Sequence, residues 1–269
     1  LKISKKANNY NGIIESLNGL GVIYCKKRNY NKGLEYFKHS LKISKKIEDN
    51  YGLSSLYHNI GNIFLNQNKK NQAIKYFFKS IEIIKCNKHT NQHALASLYR
   101  SIANAYMKIG EYKKSKEYNN KSIIIRKRLN DRKGLFYSYN LKGKMLFLEG
   151  EYTKAINIYK KCLKISVDLN LKEQMILALD NISLTYSHIG DYEKSLINTL
   201  KIVKLTKNIK DQFSLRKAYN RLSYFYSKEG VCISKESIVY AKKSLKIARK
   251  INDKNAISQQ LYNIGYLNF

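Results

Sequence analysis

The side chains best suited to chemistry in this 269-residue chain stand together at Cys86, His89 and His93. One thiolate and two imidazoles in a Cys-x-x-His-x-x-x-His run are ligand types that zinc accepts. A structural zinc takes four ligands, however, and no further Cys or His lies nearby, so the stretch is expected to be a polar turn between helices without a metal. The remaining histidines, His39, His58 and His188, are scattered and offer no arrangement of nucleophile, base and orienting group. No glycine-rich phosphate loop follows a strand, because no strand is evident. Cys25, Cys86, Cys162 and Cys232 lie far apart with no Cys-x-x-Cys pair, which argues against a disulfide framework. Cys162 falls at a register otherwise held by Ser40, Ser80, Ser122 and Ser244, where a buried, inert thiol is expected. Neither catalysis nor a cofactor is expected of these residues.

The organisation that would position any site is a repeat. The hexapeptide LKISKK occurs at Leu1 to Lys6 and again at Leu41 to Lys46, and the sequence around it returns in the same register. The small residues Gly21, Gly61, Ala103, Gly143, Ser183, Ser223 and Gly265 follow one another at intervals of 40 or 42. A fixed period of this size indicates a solenoid built from one supersecondary unit. Residues 1–13 close one unit; 14–53, 54–95, 96–135, 136–175, 176–215 and 216–257 are full repeats; 258–269 begin another. The natural chain is expected to run further in both directions. No apolar run is long enough to cross a bilayer, and a cytoplasmic setting is expected.

Within the unit from Ser54 to Ser80, Tyr57, Ile60 and Phe64 are spaced three and four apart, which draws one face of a helix. Asn66 to Asn71 form a polar break, after which Ala73, Phe77 and Ser80 repeat the spacing in a second helix. A glycine inside a helix sacrifices up to about 1 kcal/mol of propensity, so Gly21, Gly61 and Gly143 are read as places where a neighbouring helix passes close. Asp49, Asp131, Asp211 and Asp253 precede first helices and are read as caps. The resulting fold class is all-α, an α-solenoid of antiparallel helix pairs.

The marks Tyr57, Ile60-Gly61, Phe64, Ala73, Phe77 and Ser80 resemble the tetratricopeptide repeat, whose usual period is about 34. The resemblance extends over the whole chain, with departures: Trp never fills the first large site, the usual closing proline is absent, and the period is longer by six. That longer period is similar to the extended-helix subclass of kinesin light chains, spindle-orientation adaptors, bacterial Rap-type regulators and bacterial sensor proteins. The resemblance implies a right-handed superhelix and a concave groove lined by the first helices, in which partners bind.

Projecting the helix opposite to Tyr57, Ile60 and Phe64 gives a row of amides: Asn18, Asn59, Asn62, Asn104, Asn140, Asn181, Asn220 and Asn263. Asn carries both a donor and an acceptor and can hold a peptide backbone whatever its side chains; asparagine ladders of the resembling subclass imply extended-peptide binding. The same face carries Lys26, Arg100, Lys108, Lys144, Lys217, Arg221 and Lys228 against Glu15 and Asp180, so an acidic or phosphorylated segment fits it. The whole chain has 51 Lys plus Arg against 19 Asp plus Glu, a formal charge of +32. Lysines beside abundant Asn, Ile and Tyr, without Pro or Trp, read as an AT-rich coding bias that leaves a solvated outer face. The function expected is a protein-interaction scaffold or sensor segment of a larger signalling protein, with a helical-repeat RNA binder using its Tyr- and Lys-rich surface as the alternative.

Overall fold

The computed structural model describes residues 9–86, 91–228 and 235–267, and among them every regular element is an α-helix. In chain order these are α1 (Tyr10–Lys26), α2 (Tyr30–Lys46), α3 (Asn50–Asn66), α4 (Lys70–Cys86), α5 (Gln92–Ile109), α6 (Tyr112–Arg128), α7 (Arg132–Leu148), α8 (Tyr152–Asp168), α9 (Lys172–His188), α10 (Tyr192–Asn208), α11 (Gln212–Lys228), α12 (Lys235–Lys250) and α13 (Lys254–Leu267). The chain divides into two compact units, Leu1–Leu141 and Lys142–Phe269, with the division inside α7. The all-α solenoid expected from the repeat is the observed fold. Leu1 to Lys6, the first hexapeptide copy, lie outside the described residues.

The period follows from one local device used twice. Most helices are 17 residues long and end in a three-residue turn whose middle residue is left-handed, so two helices and two turns fill 40 residues. Gly110, Gly150 and Gly190 occupy that position at φ 101°, 79° and 80°, and Asn68, Asn130, Asn170 and Asn252 at φ 50° to 64°. Glycine and asparagine enter this region at the least cost. The amide that follows closes the turn, as where Glu111 N donates to Tyr106 O at 3.0 Å. The next helix is capped from its own N-cap side chain where that residue is Asn or Asp, whereas Glu111, Glu151 and Leu171 make no such bond. Asp49, Asp131, Asp211 and Asp253 each accept from the backbone amide three residues on, at 2.9, 2.7, 3.1 and 3.1 Å, as the sequence indicated.

Each hairpin packs through its small residue. In unit 1 a Cβ on Gly61 would lie 2.5 Å from the Phe77 ring and 3.2 Å from the Ala73 carbonyl, and one on Gly21 would meet Phe37 at 2.5 Å. In unit 2 Gly143 stands under Tyr159 in the same way, at 2.4 Å. Where the second helix offers no ring, the first helix is free to carry a side chain. Ala103 matches the register of Asn119, Ser183 bonds Thr199 at 2.7 Å, and Ser223 matches Ala241. The obstacle that the sequence placed beside these glycines is therefore one aromatic ring, and the chain varies both partners together.

Between hairpins, the second helix of one pair packs against the first helix of the next. In unit 1, Phe37 joins Leu56, Ile60 and Ile63, and Phe77, Ile81 and Ile84 join Leu95, Leu98 and Ile102. Leu65 belongs to this second cluster and is buried, although simple helical projection puts it on the open side with Asn62. It shares that cluster with residues of both α4 and α5, so the apolar stripe of α3 is broader at its last turn than one face of three-and-four spacing. In unit 2 the core runs through Ala155, Tyr159 and Ile182, then Ile176, Leu179 and Ile202, then Leu215, Tyr219 and Leu222. Cys162 is fully buried, and burial pushes its thiol up to about 12, which makes it inert. Leu261 is exposed at α13, and Leu1, Ile3 and Phe269 lie outside the described residues.

The ring-over-glycine contact predicts a coupled pair. Gly61→Leu should destabilise by about 1 to 3 kcal/mol through overpacking, whereas Asn62→Leu, one residue along, should be nearly neutral. Phe77→Ala alone should cost about 3 to 5 kcal/mol, and Gly61→Ala combined with Phe77→Ala should cost less than the two singles added together. Urea denaturation of the four proteins measures this, and strict additivity would show that the ring does not set the glycine.

Candidate functional site

The faces of the first helices that are not spent on hairpin packing carry a polar row, and the structure shows what its members touch. In unit 1, Asn59 Nδ2 on α3 donates to Asn18 Oδ1 on α1 at 2.9 Å. One hairpin further on, His58 Nε2 and Ser101 Oγ on α5 lie 2.9 Å apart. In unit 2, Arg221 on α11 pairs with Asp180 on α9 at 2.8 Å, and Gln260 Nε2 on α13 donates to Asn220 Oδ1 at 2.6 Å. The first three bonds share one rule. The residue three before the small position of one hairpin bonds the residue two before the small position of the next. This row is a ladder of lateral bonds between consecutive first helices.

Several residues read from sequence as ligand groups thus already hold neighbours. Asn18 and Asn59 each commit one amide group to the other and keep the second. Asn220 accepts from Gln260, and Arg221 spends its charge on Asp180. Asn62 and Asn104 lie one helical position beyond the small residue and are partly buried, Asn181 is partly buried, Asn140 is buried, and Lys144 is exposed. Lys26, Lys108, Lys217 and Glu15 are exposed as well. The side chain of Lys228 lies outside the described residues.

Arg100 occupies the ladder position in α5. It is partly buried, its Nε is sealed from solvent without a hydrogen-bond partner, and its guanidinium lies 5.8 Å from the centre of the Tyr137 ring. Burial, and then the neighbouring Arg126, hold its pKa below the usual arginine value. Arg126 itself is buried and fully engaged: it bonds Ser97 at 3.0 Å and Ser122 at 3.2 Å and pairs with Asp131. This network went unread in the sequence. Its signal is an arginine at a second-helix register held elsewhere by Ser44, Ile84, Ser166, Thr206 and Ala248.

The zinc candidates do not assemble among the described residues. Cys86 is exposed at the end of α4, His93 is exposed in the first turn of α5 with Nδ1 3.6 Å from Asp131, and His89 lies outside the described residues. Among the described residues no group of three His, Cys, Asp or Glu could hold a metal ion, and no helix is long and apolar enough to cross a membrane. Tyrosine rings stack across the hairpins, and a lysine one turn along the second helix lies against the stack. Tyr106 stacks on Tyr118 at 5.7 Å with Lys121 4.9 Å from the Tyr118 centroid, and Tyr226 stacks on Tyr240 at 5.5 Å with Lys243 at 5.0 Å.

A family model for the tetratricopeptide repeat matches residues 12–85 and 94–166, more than half of the chain. The chain belongs to the tetratricopeptide-repeat family. No curated protein matches its sequence. Among solved structures, a Rap protein complexed with Competence and Sporulation Factor is similar at a TM-score of 0.73 and 12% identity, over 95% of this chain and 75% of that one. Aspartyl phosphate phosphatase F from Bacillus subtilis gives 0.73 and 13% identity over 99% of this chain and 73% of that one. A signal-transduction ATPase with a tetratricopeptide-repeat sensor, from Pyrococcus horikoshii, gives 0.72 and 20% identity over 92% of this chain, which spans 37% of that one. At these identities the likeness is one of fold alone.

The ladder predicts an acid-sensitive joint between α3 and α5. Burial, and then the charge of Arg100, lower His58 to about 4, so the native state holds this imidazole neutral. A lowered base leaves stability intact above its unfolded pKa near 6.5 and removes it as pH falls from there toward 4, by on the order of 3 kcal/mol in total. The urea midpoint should fall between pH 7 and pH 4.5 by more in the native protein than in His58→Gln. Equal losses would assign the acid sensitivity to other groups.

Proposed function

We infer that the chain is a protein-interaction segment that holds an extended acidic peptide along the face of its first helices, within a larger signalling or regulatory protein. The supporting observation is the balance of that face. In unit 1 Arg100 and the exposed Lys26 and Lys108 stand against Glu15 on that face, and in unit 2 Asp180 is already neutralised by Arg221. In this reading Asn59, Asn62 and Asn104 of unit 1 bind the ligand backbone while Arg100 attracts its carboxylates or phosphates, and Asn181 and Lys144 take the same two roles within unit 2. The similarity to a Rap protein crystallised with a bound factor, and to a sensor built of the same repeats, supports a binding role in signalling.

The two residue sets should act on different steps. Charge reversal at Lys144 should slow association and weaken its salt dependence, since exposed charges act mainly through steering. Asn62→Ala and Asn104→Ala should speed dissociation, because each lost backbone bond strands a desolvated group at about 1 to 3 kcal/mol. Binding kinetics on an extended-peptide library, sorted by acidic content, reads both. Equal binding of acidic and neutral peptides, or unchanged dissociation in the double Asn variant, would overturn this function. A steep salt slope with single-stranded RNA and none with peptides would support the nucleic-acid alternative instead.

A further inference from the structure

We propose that Arg100 is the anchor at which unit 1 takes a single oxyanion of its ligand, a carboxylate or a phosphate ester, and that His58, whose Nε2 lies 2.9 Å from the hydroxyl of the adjacent Ser101, takes up a proton when that anion binds. The proposal rests on the peptide-binding reading and adds to it the chemistry of one contact and the proton that accompanies it.

A guanidinium cannot escape burial by losing its proton, so an interior arginine needs a counter-charge. Arg126, one pair-register away, has Asp131. In unit 2, Arg221 has Asp180. Among the described residues Arg100 has no ion pair, and its nearest charged influence is the like charge of Arg126. By the rule of the ladder its lateral partner would come from position 141, which is Leu141, buried and unable to accept a hydrogen bond. Asn18, His58, Asp180 and Asn220 at the same register all reach a polar neighbour, and Arg100 instead has the Tyr137 ring. A planar fork with a buried, unspent Nε donor and an aromatic platform matches a two-oxygen anion. The missing counter-charge is thereby supplied from outside the chain.

His58 is coupled to the same point. From α5 it is faced by Arg100 and by the Ser101 hydroxyl, and from α4 by the Phe77 ring, edge-on at 5.6 Å. Asp131, the carboxylate of the neighbouring network, is held by Arg126. After burial, the charge of Arg100 is what keeps His58 neutral. An anion on Arg100 cancels that repulsion and favours the imidazolium, so anion binding takes up a proton and strengthens as pH falls.

The test uses two oxyanions that stay ionised down to pH 4.5: trifluoroacetate as the carboxylate and sulfate in place of a phosphate ester. Side-chain NMR follows Arg100 Nε–H and the His58 ring in the whole 269-residue protein. Expected are saturating shifts at Arg100 and an affinity at least about threefold higher at pH 5 than at pH 7, as proton uptake requires. Arg100→Gln should abolish the response, and His58→Gln should keep it while flattening its pH dependence. Tighter binding of trifluoroacetate assigns a carboxylate, and tighter binding of sulfate a phosphate ester. Shifts that rise linearly without saturating, saturation that survives Arg100→Gln, or equal affinity at the two pH values would each overturn the proposal. If Arg100→Gln fails to fold by circular dichroism, saturation and pH dependence in the native protein decide. Failure here with peptide dissociation still sensitive to Asn62 and Asn104 removes the anchor alone, whereas intact anion binding without any peptide binding removes the peptide reading.

Discussion

The structure depends on how closely two helices of a hairpin can approach at one point. In the first, second and fourth hairpins the distance is set by a ring lying on a glycine, Phe37 on Gly21, Phe77 on Gly61 and Tyr159 on Gly143. In the third, fifth and sixth it is set by two small residues, Ala103 with Asn119, Ser183 with Thr199 and Ser223 with Ala241. The two sets are not equal in bulk, since a ring with a glycine outweighs serine with alanine, but wherever a ring is present the residue that faces it is the one without a side chain, which avoids overpacking. Since the same spacing recurs in every hairpin, each first helix meets the next pair in the same register. The polar ladder is a consequence of that register.

Where the small pair replaces the ring, polarity enters the interior and must be satisfied locally. Ser183 does so with Ser195 and Thr199, at 2.9 and 2.7 Å. The third hairpin goes furthest: Ser115, Asn119, Ser122 and Arg126 run down one buried face of α6, where α4 has Ala73, Phe77, Ser80 and Ile84. Asn119 donates to Ser138 O at 3.0 Å but leaves its Oδ1 buried without a partner. A polar seam of this kind costs stability relative to an apolar one unless every member is paired. It lies on the helix next to Arg100, so the two unpaired buried groups of this region share one hairpin.

The sequence disclosed whatever is local or strictly periodic. Caps such as Asp49 and Asp131 are legible because the bond spans three residues, and Gly61 is legible because a helical glycine at fixed period needs a packing reason. Leu65 lies outside the face drawn by Tyr57, Ile60 and Phe64, and its burial in a cluster shared with α4 and α5 is set by how those helices stack, of which a projection of α3 alone carries no trace. The amide row was legible as residues but not as bonds. Asn18 with Asn59 and Asp180 with Arg221 are joined across 41 residues, and only the stacking of hairpins says that one register position faces another shifted by one residue.

That shift gives the ladder a simple electrostatic logic. The two positions it joins are Asn with Asn, His with Ser, and Asp with Arg, combinations that satisfy donors with acceptors or charge with charge. An arginine therefore sits comfortably in this row only when the neighbouring hairpin supplies an acid, as Asp180 does for Arg221. By register Arg100 has Leu141 in that role, so the same fold that neutralises one arginine leaves the other with its Nε unspent and its guanidinium against the Tyr137 ring. Stability alone would favour an apolar or neutral side chain at position 100, since a buried cation without its partner is among the costlier features a core can hold. Retaining the charge makes physical sense when the compensating group arrives with a ligand. It is there that the repeat departs from self-sufficiency.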